Sequence, residues 1–121
     1  MQYSNISALA KENNNFRKVL FTNSHSQVVL MSLKAGEEIG IESHPDNDQI
    51  LYFVEGHGKA IVSGSEHEFK AGDVVDVPAG AQHNFINTGS EPLKLFTIYA
   101  PAHHPEGTVH ETKAQAEAAE H

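Results

Sequence analysis

The sequence predicts an all-β protein, a barrel or a sandwich. Three observations carry this expectation. Turn signals recur at intervals of about eight to twelve residues. The segments between them are short and rich in Val, Ile, Leu, Phe and Tyr, the residues that fit a pleated, half-buried surface. Several segments, notably 28–33, 50–54 and 95–99, are apolar on both faces, whereas a sheet with one wet face alternates cleanly.

Each element follows from local chemistry. Residues Asn5 to Glu12 read as a brief helix, closed by the polar break Asn13-Asn14-Asn15. Arg17 to Thr22 reads as a strand, Asn23 to Ser26 as a turn, and Gln27 to Leu33 as a second strand. Residues 38–44 are expected to be extended. Pro45-Asp46-Asn47-Asp48 is a turn cluster, because proline fixes φ and Asp and Asn side chains bond to nearby backbone. Gln49 then opens the strand through Val54. Lys59 to Val62 and Glu66 to Phe69 flank Ser63-Gly64-Ser65, a hairpin signal. Asp73 to Val77, His83 to Asn87 and Leu93 to Tyr99 complete the strands. Thr112-Lys113-Ala114-Gln115 resembles a capping box opening a short helix.

Composition limits the classes of function. A chain of 121 residues is read as one domain, with a barrel core over about 16–100 and a C-terminal loop and short helix over 101–121. It contains no cysteine, so neither a disulfide framework nor a thiolate metal site is available. The start lacks a basic segment followed by an apolar run, and no stretch is long enough for a membrane span. A cytoplasmic protein without a membrane partner is expected. The net charge of −8 argues against a nucleic-acid partner, which would need a basic patch. The strands that are apolar on both faces imply a second apolar surface, and a homodimer is expected.

Two stretches carry the chemistry. The first runs from Gly36 through Glu42, Ser43, His44 and Gln49 to Gly56; the second runs from Gly72 through Pro78, Gly80 and His83 to Asn87. Glu42, His44, Gln49 and His83 combine ligand chemistry with spacing that lets them converge. Side chains two apart in a strand share a face, so Glu42 and His44 project together. Gln49 lies just past the turn, and the turn at 78–82 brings in His83. Two readings of these side chains stand. They form either a cage for one divalent metal or a self-satisfied polar network. The cost of burying a carboxylate without a cation favours the metal.

These stretches resemble the paired motifs of the cupin superfamily, small jelly-roll barrels of the double-stranded β-helix type. The first family motif, G-x5-H-x-H-x3,4-E-x6-G, is matched at Gly36, His44 and Gly56. Glu42 stands where the first histidine is usual, and Gln49 where the glutamate is usual. The second motif, G-x5-P-x-G-x2-H-x3-N, is matched at Gly72, Pro78, Gly80, His83 and Asn87. The chain is also similar to short single-domain cupins of a mannose-6-phosphate-isomerase-like group, through Asp48-Gln49 and the tail from Tyr99 to His110. The resemblance implies a site of two imidazoles, one carboxylate and one amide oxygen holding Fe, Mn, Zn or Ni. Two histidines with a carboxylate suit Fe(II), Mn(II) or Zn(II). Positions left open on the metal suit a small-molecule ligand, and isomerase, dioxygenase and decarboxylase chemistry all fit. A non-catalytic binding or sensing module is the alternative.

The remaining polar residues divide by position. His25 and His67 are read as solvated, His57 as exposed at a hairpin tip, and the terminal His121 as disordered. His103, His104 and His110 share a proline-rich loop that either folds over the barrel mouth or stays exposed. Gly36, Gly56, Gly72 and Gly80 are read as turn residues and Asn87 as the cap of a turn. Arg17, Gln27, Tyr52 and Tyr99 could face a ligand, but the sequence does not fix their side.

Overall fold

Capping chemistry sets the first element. Oδ1 of Asn5 accepts from the amide of Ala8 at 3.0 Å, which starts helix α1 over Ile6–Glu12 by satisfying an orphan donor. Asn13 ends it in extended backbone. The computed structural model describes residues 1–119, so the expectation for His121 lies outside the described residues.

Nine strands follow: β1 (Arg17–Thr22), β2 (Gln27–Leu33), β3 (Asp48–Glu55), β4 (His57–Val62), β5 (Ser65–Lys70), β6 (Val74–Val77), β7 (His83–Asn87), β8 (Leu93–Ala100) and β9 (Val109–His110). Helix α2 spans Lys113–Ala119. They form a six-stranded sheet ordered β6-β3-β8-β2-β1-β9 and a three-stranded sheet ordered β5-β4-β7. All pairings are antiparallel. The two sheets close over one core as a jelly-roll barrel, the fold class the sequence predicts.

Strand alternation decides which side chains enter that core. On β2, β3 and β8 the inward rows include Val29, Met31, Leu33, Leu51, Phe53, Leu93 and Leu95, all essentially inaccessible. Phe53 stacks on Phe69 with ring centroids 3.7 Å apart, so the two sheets meet through an aromatic contact. Full burial of each such side chain contributes about 1.5–3 kcal/mol. The same inward rows change character toward the other end of the barrel. Gln27 and Gln49 both pair with Tyr99, and all three are buried. That polar row forms the floor of the site.

Two expectations are corrected and a third, the turn cap at Asn87, is extended. Residues 38–44 do not form a regular strand. Their backbone pairs with β7 only at the isolated bridges Glu38–Ile86 and Glu42–His83. Gly40 between them has φ +108°, a conformation that breaks a ladder and that glycine tolerates. His57 is exposed but not at a hairpin tip, because β3 and β4 belong to different sheets. Asn87 does more than cap a turn: its Nδ2 donates to the carbonyls of Leu33, Lys34 and Glu91 from a fully buried position.

Candidate metal centre

Backbone pairing brings two distant segments together. The amide of Glu42 donates to the carbonyl of His83 at 2.9 Å, and the amide of His83 donates back at 2.8 Å. The amide of Gly80 donates to the carbonyl of His44 at 2.9 Å. The 78–82 turn is therefore tied directly to the Glu42–His44 segment. Ligand atoms of Glu42, His44 and His83 all lie within 4.8 Å of one another.

The individual contacts have the character of a cation site. Nε2 of His44 lies 3.0 Å from Oε2 of Glu42, yet this buried nitrogen makes no hydrogen bond of acceptable geometry. The distance is right and the direction is wrong, as expected when two donors face a common point rather than each other. Nδ1 of His83 lies 3.0 Å from the carbonyl of Ala81. A proton on Nδ1 donated there leaves the Nε2 lone pair for a cation.

Gln49 completes the floor. It is 3% exposed, and its Nε2 donates to Oγ1 of Thr97 at 3.1 Å and to the hydroxyl of Tyr99 at 3.2 Å. Its Oε1 is buried and has no partner. A buried, unpaired amide oxygen is costly, and a cation beside it would remove that cost. The donor set of two imidazoles, one carboxylate and one amide oxygen fits a divalent ion of the Fe, Mn, Zn or Ni kind.

Electrostatics sharpen the picture. Burial pushes the Glu42 carboxyl upward, but the contact with His44 and the charges of His44, Arg17 and His83 outweigh it and hold Glu42 below its ordinary value. Burial lowers His83, with the Ala81 carbonyl and Glu42 acting against it. An ionised carboxylate beside a neutral imidazole is the protonation state that binds metal.

The loop after β8 does fold over the mouth. Asn47 Nδ2 donates to the carbonyls of Pro101 and Ala102. Oε1 of Gln27 accepts from the amides of His103 and His104, and its Nε2 donates to the carbonyl of His104 at 2.7 Å. The ring of His103 consequently sits 4.1 Å from that of His44, centroid to centroid. Of the residues whose side was open in the sequence, Arg17, Gln27 and Tyr99 are buried. Tyr52 instead stacks on Phe96 at 5.2 Å, both half-buried. Two wider clefts of about 380 and 600 Å³ lie around His57. Neither is lined by Glu42, His44, Gln49 or His83.

A jelly-roll barrel with a His/Glu cluster that could hold a metal at its mouth defines a class of small β-barrels, and the chain falls within one family of it. Residues 29–99 match the model of the cupin domain, and the chain belongs to the cupin family. It is 52% identical over 122 residues to the uncharacterized protein YrkC of Bacillus subtilis, a match covering 96% of this chain and 66% of that protein. The chain thus spans just under two thirds of that relative's length. Among solved structures, BH2720 from Bacillus halodurans superposes with a TM-score of 0.95 at 46% identity, covering 97% of this chain and 93% of that one. A predicted oxalate decarboxylase from Thermotoga maritima superposes with a TM-score of 0.62 at 28% identity, covering 66% and 70%. No helix among the described residues is long and apolar enough to cross a membrane.

Proposed function

We propose that this chain is a metal-dependent cupin acting on a small oxygen-rich molecule. Glu42, His44, His83 and the amide oxygen of Gln49 hold one divalent cation. The observation that carries this reading is the buried Oε1 of Gln49, which has no hydrogen-bond partner, together with the Glu42 carboxylate held 3.0 Å from Nε2 of His44 without a well-directed hydrogen bond. A self-satisfied polar network would not leave the Gln49 oxygen unpaired. When bound, the cation would polarise a carbonyl or hydroxyl oxygen of the ligand. The protein's own contribution is positional. Thr97 and Tyr99 orient the Gln49 amide, the Ala81 carbonyl orients His83, and His103 walls the mouth. Decarboxylase, isomerase and dioxygenase reactions fit such a site. The likeness to a predicted oxalate decarboxylase supports the first of these.

Elemental analysis of untagged protein tests the reading. We expect one divalent ion per chain in the wild type, and loss of that ion in the His44→Ala, His83→Ala double variant. Unchanged stoichiometry in a folded double variant would sink the proposed cage. A non-catalytic binding role would keep the metal and the ligand but show no turnover.

We also propose a homodimer through the outer face of the six-stranded sheet. Ile50 and Val74 are 41% and 62% exposed there, and the half-buried Tyr52, Phe96 and Ile98 continue the patch. Covering such a surface removes apolar area from water. Light scattering that gives a monomer mass at micromolar concentration would refute it.

A further inference from the structure

A second polar cleft of about 260 Å³ adjoins the mouth, lined by Arg17, His103, His104, Thr108 and His110. Its composition is unusual for this chain. Acidic residues outnumber basic ones by 16 to 8, yet the described residues lining this cleft include no carboxylate. They include the only arginine in the sequence, held 2% exposed.

The chain spends buried polar groups to build this cleft. Gln27 is fully buried and commits its whole amide to the region. Oε1 takes both the His103 and His104 amides, and Nε2 serves the His104 carbonyl and Thr22. The His104 ring is thereby fixed edge-on to Tyr99 and to His103. Its Nε2 is buried and has no hydrogen-bond partner. That nitrogen is a polar atom held in place without a ligand, at a cost to stability. Arg17 already reaches Nδ1 of His110 at 3.4 Å. A guanidinium has five donors, so it can keep that and other contacts and still serve a ligand. His110 and Arg17 are paired across β9 and β1, which fixes the cleft's far wall to the sheet.

We propose that this cleft binds the carboxylate of a small organic acid, with Arg17 and the Nε2–H of His104 as donors. This deepens the metal-site reading and rests on it for one point only, that the remainder of the same acid reaches the cation. The geometry makes that possible, because His103 touches both His104 and His44, at centroid distances of 4.7 and 4.1 Å. Arg17 also lies close enough to lower the Glu42 carboxyl. A substrate with one acid group and an adjacent oxygen donor would span the two sites. Charge-assisted bonds to a carboxylate are the strongest available to such a ligand.

The test uses the full chain freed of metal and dialysed free of chelator, so it does not depend on the cage. Acetate and succinate are titrated at constant ionic strength while the imidazole nitrogens of His104 and the Nε–H of Arg17 are followed by 15N NMR, with chloride as the control anion. We expect saturable shifts with the carboxylates and none with chloride. His104→Phe, which keeps a ring against Tyr99, and Arg17→Gln should each weaken binding about tenfold. Circular dichroism checks that each variant is folded. If Arg17→Gln fails to fold, His104→Phe alone decides. Shifts that are absent, equal with chloride, or unchanged in His104→Phe overturn the proposal. Unchanged metal binding in the cage variants with intact carboxylate binding would instead count against the cage alone.

Discussion

Nε2 of His44 and Oε2 of Glu42 stand 3.0 Å apart without forming a hydrogen bond of proper direction. Two polar atoms this close normally align unless a third partner sets their directions. A divalent ion is that partner in our reading, and it gives Glu42 a specific role as the one anionic ligand. Glu42→Gln keeps the shape and removes the charge. We expect metal affinity to fall about 100-fold or more, since the loss of a charged contact of this kind costs roughly 3 kcal/mol. The rise in melting temperature on adding metal to wild type should shrink accordingly. Competition against a chromophoric chelator measures the first effect and calorimetry the second.

Gln49 offers the opposite experiment. Gln49→Glu places a second carboxylate on the floor of the cage, beside Glu42. With metal bound, the added charge strengthens coordination, so affinity should rise. Without metal, two carboxylates crowd a buried site, and the protein should be less stable than wild type near neutral pH. A thermal melt with and without metal reads both signs. If the variant binds metal no better than wild type, the Gln49 oxygen does not face the ion.

Most strands were legible because their side chains alternate locally. Arg17–Thr22, Gln27–Leu33 and His83–Asn87 have the bounds their patterns indicate. What was not legible depends on distant closure. β9 is two residues long and exists only because β1 lies beside it, so the segment carries no strand pattern of its own. The irregular run at 38–44 depends on the backbone of Gly40 and on its bond from Gly40 N to Asn84 Oδ1. The convergence of Glu42, His44 and His83 was visible from spacing, yet the clamp by Gln27 was not. A glutamine opening an apolar strand is a weak signal, and only the fold shows that it faces inward onto a loop 76 residues away.

Lys94 shows how the helix is held to the barrel. It is 5% exposed, and its ammonium donates to the carbonyl of Asn13 at 2.6 Å, to Oδ1 of Asn14 at 3.0 Å and to Oγ of Ser32 at 3.0 Å. Burial lowers its pKa, with the charge of Glu55 acting in the other direction. Lys94→Met preserves the stem and strands those acceptors. We expect a loss of about 1–3 kcal/mol and faster hydrogen exchange in α1, measured by urea unfolding and mass spectrometry. Equal exchange in α1 would mean that the helix is held by its apolar side alone.

His104 makes the protein sensitive to acid in a definite window. Burial first, then the charges of Arg17, His103, His44 and His110, push its pKa from 6.5 down to about 3. Above pH 6.5 the imidazole is neutral in both the folded and unfolded chain, so it adds no pH dependence. Between pH 6.5 and about 3 the unfolded chain binds a proton that the folded chain does not. Stability therefore falls as pH falls through that window. The full slope for one such group is about 1.4 kcal/mol per pH unit, and partial exposure of the ring reduces it. His83 is also lowered by burial and remains in any His104 variant, so the dependence should diminish rather than vanish. We expect metal-free wild type to lose more stability between pH 7 and pH 5 than metal-free His104→Phe, by about 1 kcal/mol. Urea midpoints at the two pH values measure it. Equal losses in the two proteins would show that the His104 ring takes up its proton in the folded state at an ordinary pH.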